Sequence, residues 1–374
     1  MEQDHLSFAD TINLGSFYTP QNLVDEAYKL LKRHIANLDE YTIIDSSCGY
    51  GNFLCNSNCK GADCDLTALK VAHKEHPNVP LFYHNSLHNV ARQQYQVGDN
   101  DKIILVGNPP YNDTTSIIRQ TLKKELLEKD ADLQHRDTGI SFLLSYNKLR
   151  ADYVCVLHPL SYLIKKANFA SMRGFTANYT LLDGLVISSA SFSATSNSTH
   201  FPIIIALYKR TPRGMTYGDI ANKQFVTDSG KKFVLNNFDT IDRYVQKYPN
   251  RKIVPASDTV AFFYTLRDIN ALRRSRTFLK NEITNAVRVK REQFSFYCYI
   301  DAFKDNLCHM PYYFGNSNIF INLENFKRLE TLFVRRSLAK HKFLTKLEQP
   351  PLNHTEEQYI SEYFKNLLGE HYVY

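Results

Sequence analysis

The chain predicts an α/β fold in which a parallel sheet is covered by helices on both faces, followed by a smaller mixed α/β domain. Over the first 210 residues, short apolar segments alternate with amphipathic segments of helical periodicity. The apolar segments are almost continuously apolar, which is typical of parallel strands with both faces buried. Beyond the turn-rich stretch 211–214, the sequence becomes aromatic, basic and irregular. We therefore expect two domains, residues 1–212 and 213–374.

The elements are expected in the following order. Thr19 and Pro20 have the chemistry of an N-cap followed by a proline at the first helical position, so a helix is expected to start there. Further helices are predicted at residues 66–73, 116–127, 140–149 and 356–368. Strands are predicted at residues 41–45, 60–64, 81–84, 102–107, 153–157 and 201–208, and in the second domain at 297–303 and 311–323.

Composition limits the functional classes. The N-terminal segment MEQDHLSFAD is acidic and polar, unlike a signal or transit peptide. No apolar run approaches the roughly 20 residues of a membrane helix, so we expect a cytoplasmic protein with no membrane partner. The seven cysteines are odd in number and scattered, which favours reduced thiols. Cys55, Cys59 and Cys64 lack the paired spacing of a zinc site, so no metal is expected.

The net charge of +7 is confined to one part of the chain. Residues 216–374 contain 24 Lys and Arg against 17 Asp and Glu, which leaves 21 of each sign for residues 1–215. The densest basic stretch is 266–291, with eight basic residues against Asp268 and Glu282. A solvated helix face and a contact surface for an anionic partner both fit this pattern.

Polar and glycine residues follow the first two predicted strands. Gly49 and Gly51 allow a tight turn after Asp45, although Leu54 occupies the place of the third glycine of a dinucleotide-binding fingerprint. The second strand is followed by Asp65, an acidic residue that would either hold ribose hydroxyls or cap the next helix. Because ligands bind outside the carboxyl ends of parallel strands, these residues predict a binding site.

The stretch Asn108-Pro109-Pro110-Tyr111 follows the strand at 102–107. The two prolines fix the backbone and remove N–H donors, so that carbonyl groups face the site. The Asn108 amide oxygen and a neighbouring carbonyl can accept both hydrogens of an amino group, and Tyr111 offers an aromatic face to a flat ring. This combination predicts a site for a planar heterocyclic amine.

Four motifs in this order resemble the N6-adenine DNA methyltransferases: GSFYTP at 15–20, DSSCGYGNFL at 45–54, GADCD at 61–65 and GNPPY at 107–111. The order is that of the TaqI-type and Eco57I-type enzymes, in which a target-recognition domain follows the catalytic domain. The resemblance implies a Rossmann-like fold that binds S-adenosylmethionine and methylates N6 of a flipped-out adenine in double-stranded DNA. Such an enzyme belongs to a restriction-modification system, with a separately encoded restriction endonuclease as partner, or acts as an orphan methylase.

The resemblance also implies roles for individual residues. The cofactor site would comprise Tyr18, Thr19 and Pro20 at the methionine end, Asp45, Cys48, Gly49 and Gly51 beneath the amino acid moiety, Asp65 and Leu66 at the ribose, and Asn85, where the family usually has Asp, at the adenine. In the base pocket, Asn108 and Pro109 would hold the amine, Pro110 would supply stiffness and Tyr111 would stack on the ring. Phe192 is the candidate for the second aromatic, with Phe201 as rival, and either fits a core position equally well. His158 is expected to be structural.

The basic C-terminal domain would contact DNA phosphates and read bases. The candidate DNA contacts are Arg273, Arg274, Arg276, Arg288, Lys290 and Arg291. Other interpretations stay open, because the NPPY motif also occurs in methyltransferases of RNA and of protein glutamine. An N4-cytosine enzyme, which more often carries Ser in place of Asn108, and a non-catalytic DNA-binding module are further alternatives.

Overall fold

The computed structural model describes residues 18–111, 128–192, 200–250, 254–345 and 350–374. The chain divides into two compact units, residues 1–232 and 233–374. Residues 15–17 of the first motif and the helix expected at 116–127 lie outside the described residues.

The first unit contains one large sheet with helices between its strands. Its strands are ordered β3-β2-β1-β4-β5-β7-β6-β8-β9 across the sheet. The elements are α1 (Gln21–His34), β1 (Thr42–Asp45), β2 (Cys59–Asp63), α2 (Leu66–Glu75), β3 (Leu81–Tyr83), β4 (Ile103–Gly107), α3 (Thr138–Lys148), β5 (Tyr153–Pro159), α4 (Ser161–Ile164), α5 (Lys166–Ser171), α6 (Arg173–Thr176), β6 (Tyr179–Ser188), β7 (Pro202–Arg210), α7 (Tyr217–Ala221), β8 (Phe225–Thr227) and β9 (Lys232–Phe233).

The sheet has a Rossmann-like, mostly parallel topology. Strands β3, β2, β1, β4 and β5 are parallel, and β7 runs antiparallel between β5 and β6. On one face of the sheet, Ile43, Ile104 and Val106 belong to the core cluster that includes residues of α1. Alternate residues of a strand point to the opposite face, and there Ile44 and Leu105 are also buried. Both faces are therefore covered, as the uninterrupted apolar strands predicted, and the α/β fold class is confirmed.

Helix α1 starts one residue later than expected. The helix begins at Gln21, Pro20 occupies the N-cap position, and no side chain caps the first turn. The Thr19 hydroxyl instead accepts a hydrogen bond from the Asn108 side chain. Proline has no N–H group, so none is left without an acceptor at the N-cap position. The Thr19 hydroxyl does not cap the helix and can contact Asn108 instead.

The first unit extends beyond the boundary expected at Pro212. A capping box between Thr216 and Asp219 starts α7. Strand β8 then pairs with β6 in parallel, with Leu185 opposite Val226. Because these pairings add residues 217–232 to the large sheet, the division between the units follows Lys232 rather than Pro212.

The second unit is a mixed α/β arrangement, as predicted. A three-stranded antiparallel sheet has the order β12-β11-β13, and β10 pairs with β14. The elements are β10 (Asp239–Thr240), β11 (Thr259–Tyr264), α8 (Ile269–Arg274), β12 (Phe278–Leu279), β13 (Ala286–Lys290), α9 (Phe294–Asp305), β14 (Phe320–Ile321), α10 (Leu323–Lys340) and α11 (His354–Leu368).

Among the described residues of both units, every helix is too short or too polar to span a membrane.

The strand predicted at 297–303 is wrong, because this segment lies within α9. Its side chains Tyr297, Tyr299, Ile300 and Phe303 are all at most 2% exposed. A segment buried on all sides has no polar face, so its sequence shows neither the period of a helix nor that of a strand. Of the strand predicted at 311–323, only Phe320–Ile321 is extended in a sheet.

Candidate active site

A groove with about 860 Å³ of empty space, open solvent included, lies at the carboxyl ends of β1, β2 and β4. It lies at the point where the strand order reverses, since β1 has β2 on one side and β4 on the other. Its walls include Tyr18, the turn after β1, the end of β2, Asn108 and Phe142. The four motifs that the sequence separates by up to 90 residues therefore meet in one place.

The turn after β1 is held by a residue that sequence analysis missed. Gly49 and Gly51 have φ values of +52° and +89°. The half-buried Asp63 carboxylate accepts the Gly49 N–H at 2.8 Å through one oxygen and the Asp65 N–H at 2.9 Å through the other. Asp63 thereby ties the first glycine turn to the end of β2, and its burial raises the pKa of its carboxyl group. Its position before Cys64 in the GADCD motif was the available signal.

Asp45 lies at the floor of the groove with 2% of its surface exposed. One of its oxygens accepts the Ser47 N–H at 3.1 Å. Gly107 has φ +137°, and a Cβ atom added there would lie 2.6 Å from Asp45 Oδ1, so only glycine allows this close approach. Burial, opposed by the Ser47 hydrogen bond and assisted by the charge of Asp63, raises the pKa of Asp45 to about 8. A cationic ligand group in the groove would favour the ionised carboxylate.

Asp65 caps α2 and also lines the groove. Its Oδ1 accepts the N–H groups of Thr67 at 2.8 Å and Ala68 at 3.2 Å, so the capping interpretation is confirmed. The adjacent Leu66 is 49% exposed and is not among the residues that line the groove. The carboxylate of Asp65 at the groove wall suits the hydroxyl groups of a sugar.

Asn85 and His84 follow β3 and line the same groove. The Asn85 side chain holds the loop, since its Oδ1 accepts the Leu87 N–H at 3.0 Å and its Nδ2 donates to the Glu128 carbonyl at 2.8 Å. His84 Nε2 and Ser47 Oγ are buried and have no hydrogen-bond partner in the part of the chain that the structure describes. Polar atoms buried without partners at a groove wall suit a polar ligand.

Thr19 connects the first motif to Asn108. The Asn108 Nδ2 group donates to Thr19 Oγ1 at 3.1 Å, and Asn52 Nδ2 donates to the Thr19 carbonyl at 2.7 Å. Thr19 is 5% exposed. Because the Thr19 hydroxyl accepts from the amide nitrogen, the Asn108 side chain is held with its oxygen on the opposite side.

Tyr111 packs against the core cluster near the start of α3, and burial raises the pKa of its hydroxyl group. A Cβ atom added to Gly139 would lie 2.9 Å from Tyr111 Cβ and 2.5 Å from the Tyr162 hydroxyl oxygen. The Tyr162 hydroxyl donates to Asp137, and Asp137 also caps α3 by accepting the Gly139 N–H at 3.0 Å. Sequence analysis assigned no role to these supporting residues.

The candidate for the second aromatic of the base pocket is buried. Phe192 is 2% exposed and belongs to the core cluster, whereas Phe201 is partly buried against it. A ring with so little exposed surface has almost no area on which a base could stack. The burial favours the core interpretation of Phe192.

His158 is a structural residue of the core, 1% exposed. Its Nδ1–H donates to the Pro159 carbonyl at 2.9 Å, so its Nε2 accepts the Tyr208 hydroxyl at 2.7 Å. Burial lowers the pKa of His158 to about 4. The imidazole is therefore neutral at physiological pH.

The candidate DNA contacts separate into engaged and exposed residues. Arg288 forms a bidentate pair with Glu282, at 3.0 and 3.1 Å, and also donates to the Val254 carbonyl, so it stabilises its own unit. Arg273 donates to the Leu307 carbonyl at 2.9 Å, and Lys290 lies 3.8 Å from Glu292. Arg274, Arg276 and Arg291 are exposed, and Arg273 is exposed as well as hydrogen-bonded.

All seven cysteines are free thiols, of which Cys55, Cys64 and Cys308 are exposed. Cys48 in the glycine turn is buried, and burial raises the pKa of its thiol well above the usual value. Cys48 is therefore a packing residue rather than a nucleophile.

Comparison with known proteins gives matches among solved structures alone, since no family model and no curated protein matches the chain. A modification subunit of a type I restriction enzyme from Vibrio vulnificus is 18% identical, with a TM-score of 0.41, over 59% of this chain and 49% of its own. The corresponding subunit from Streptococcus thermophilus is 17% identical, with a TM-score of 0.39, over 60% and 48%. A class I S-adenosylmethionine-dependent methyltransferase from Listeria monocytogenes is 16% identical, with a TM-score of 0.37, over 52% and 60%. The match thus spans about half the length of the two modification subunits.

Proposed function

We propose that this chain transfers a methyl group from S-adenosylmethionine to N6 of adenine in double-stranded DNA. The observation that carries the proposal is the hydrogen bond between Thr19 and Asn108 at the edge of the groove. This hydrogen bond connects the segment of Thr19, which would bind the methyl donor, with the segment of Asn108, which would bind the amine. The two reactants would meet where these segments meet.

The groove fits S-adenosylmethionine by the chemistry of its donor and acceptor groups. Carboxylates from Asp45 and Asp65 suit an ammonium group and ribose hydroxyls, and the two glycines of the turn after β1 allow a ligand to approach the backbone. The partnerless polar atoms of Ser47 and His84 offer further hydrogen bonds. When bound, the cofactor supplies a methyl group on a positively charged sulfur, which is an electrophile.

The chain's own residues would prepare the amine. The lone pair of an exocyclic amino group is conjugated into its ring, which makes the group a poor nucleophile. Hydrogen bonds from the amine to the Asn108 oxygen and the Pro109 carbonyl would favour a tetrahedral nitrogen with a localised lone pair. Positioning and electrostatics suffice: the carbon–nitrogen bond would form as the carbon–sulfur bond breaks, and the nitrogen would then release its extra proton to water, so no strong base is required. This agrees with the neutral, buried state of His158.

DNA is the proposed substrate because the excess positive charge lies in residues 216–374. The adenine would be flipped out of the duplex, at a cost of a few kcal/mol, and stacking on Tyr111 would offset part of that cost. The enzyme would serve a restriction-modification system, with a separate endonuclease as partner, or act as an orphan methylase.

The test is methyl transfer from labelled S-adenosylmethionine to mixed-sequence duplex DNA, RNA and protein in parallel reactions. The proposal predicts label on DNA, recovered as N6-methyladenine after digestion to nucleosides. Label on cytosine, RNA or protein glutamine would replace the proposal with the corresponding alternative. No transfer by a protein that binds duplex DNA would indicate the non-catalytic module.

A further inference from the structure

The second unit contains a basic pocket that includes two of the candidate DNA contacts, Arg274 and Arg276. It is lined by eight residues around the end of β11 and the end of α8, and its empty space is about 760 Å³, open solvent included. Three of the lining residues are the exposed arginines Arg267, Arg274 and Arg276, and none is acidic. The other lining residues are Tyr264, Thr265, Ala271, Ser275 and Asn285.

The fold fixes the walls of this pocket. Strand β11 pairs with both β12 and β13, and Tyr264 at its end lies opposite Ala286. The Thr265 N–H and hydroxyl both donate to the Asn285 carbonyl, at 2.9 and 2.8 Å. The Ser275 hydroxyl donates to the Ala271 carbonyl at 2.7 Å. The pocket therefore has walls held by hydrogen bonds, with arginines projecting from them.

Arg267, Arg274 and Arg276 differ from Arg288 in their charge environment. Among the residues that the structure describes, none of the three forms an ion pair, whereas Arg288 is neutralised by Glu282. Arg276 lies over the Tyr264 ring, with its guanidinium carbon 5.8 Å from the ring centroid. Like charges held around one pocket repel each other, and a bound anion would relieve that repulsion. The planar, donor-rich guanidinium group matches the oxygens of a phosphate.

We infer that this pocket binds a phosphodiester group of duplex DNA, an inference that rests on the proposed function. The local charge of +3, the open entrance and the exposed Asn285 amide suit a polymer backbone that passes across the pocket. Phosphate contacts carry no sequence information, so this pocket sets position and affinity rather than specificity. It adds Arg267 to the candidate DNA contacts and removes Arg288 from them.

The test is the salt dependence of duplex binding, measured by fluorescence anisotropy with a labelled mixed-sequence duplex. The double variant Arg274→Ala/Arg276→Ala is expected to bind at least about tenfold more weakly, with a log–log salt slope smaller by about 2. The matched control is Arg243→Ala/Arg328→Ala, which removes the same charge from exposed arginines that already pair with Asp239 and Glu324. The variant Arg274→Lys/Arg276→Lys keeps both charges and should keep most of the salt slope of duplex binding. Thermal melting checks that each variant is folded.

Wild-type affinity and slope in the double alanine variant would overturn the inference, and so would an equal loss in the control. A pocket that binds inorganic phosphate or a nucleoside triphosphate, with duplex binding unchanged in the variant, would also overturn it. Failure of the proposed function looks different: methyl transfer is absent, while duplex binding still depends on Arg274 and Arg276. Failure of the inference alone leaves methyl transfer to DNA intact.

Discussion

Replacing Thr19 by valine tests the contact that joins the two motifs. Valine has nearly the same shape, so the change removes the acceptor of the Asn108 amide and little else. Leaving a buried donor without its partner costs about 1–3 kcal/mol. If that cost falls on the orientation of Asn108 during transfer, the rate of methyl transfer drops by about 5-fold to 150-fold. Single-turnover transfer with saturating cofactor and DNA measures this step directly.

The serine variant is the matched control, because it keeps the hydroxyl group. We expect Thr19→Ser to transfer at close to the wild-type rate, since the acceptor is restored. If Thr19→Val transfers at the wild-type rate, Thr19 does not position Asn108. If Thr19→Ser is as slow as Thr19→Val although it keeps the acceptor, the slow transfer of the valine variant cannot be assigned to the lost hydrogen bond.

Three further predictions concern stability. The pKa of Asp45 is raised to about 8, so the folded, ligand-free protein is stabilised while this carboxyl group is neutral and loses that stabilisation as the pH rises toward 8. Asparagine does not ionise, so the difference in melting temperature between Asp45→Asn and wild type should change in favour of the variant between about pH 4 and pH 8. Burial would raise the pKa of Asp301, but hydrogen bonds from His341 and Thr277 hold it at about 2. Asp301→Asn should therefore lower the free energy of unfolding by about 3 kcal/mol, and a loss below about 1 kcal/mol in urea titrations would refute this role. Gly107→Ala should destabilise the protein by about 1–3 kcal/mol, because φ is +137° and the new Cβ would meet Asp45; an unchanged melting temperature would contradict it.

Most strands of the large sheet were predictable because they are short, apolar and separated by clear turns. The predicted strand at 153–157 corresponds to β5, and that at 201–208 to β7. Strand β6, at Tyr179–Ser188, was not predicted as an element. It contains Asp183 and Gly184 next to a register shift against β7, and these residues interrupt the apolar pattern.

The site was predictable where chemistry is concentrated in adjacent residues, as in Asn108 to Tyr111. It was not predictable where a role depends on a distant partner. Asp63 holds a glycine turn that lies 14 residues earlier in the chain. Arg288 looked like a DNA contact until its pairing with Glu282 was visible, because a sequence shows charges but not which charges neutralise each other.

Asn108 is proposed to prepare an adenine amine for methyl transfer, and a comparison of wild type with Asn108→Ala tests this role. Both proteins are incubated with S-adenosylmethionine and mixed-sequence duplex DNA, and N6-methyladenine is quantified by mass spectrometry of the digested nucleosides. Cofactor binding is measured in parallel by calorimetry. We expect N6-methyladenine with wild type, none above background with Asn108→Ala, and closely similar cofactor affinities. N6-methyladenine formed by the variant, or cofactor binding lost with the side chain, would contradict it.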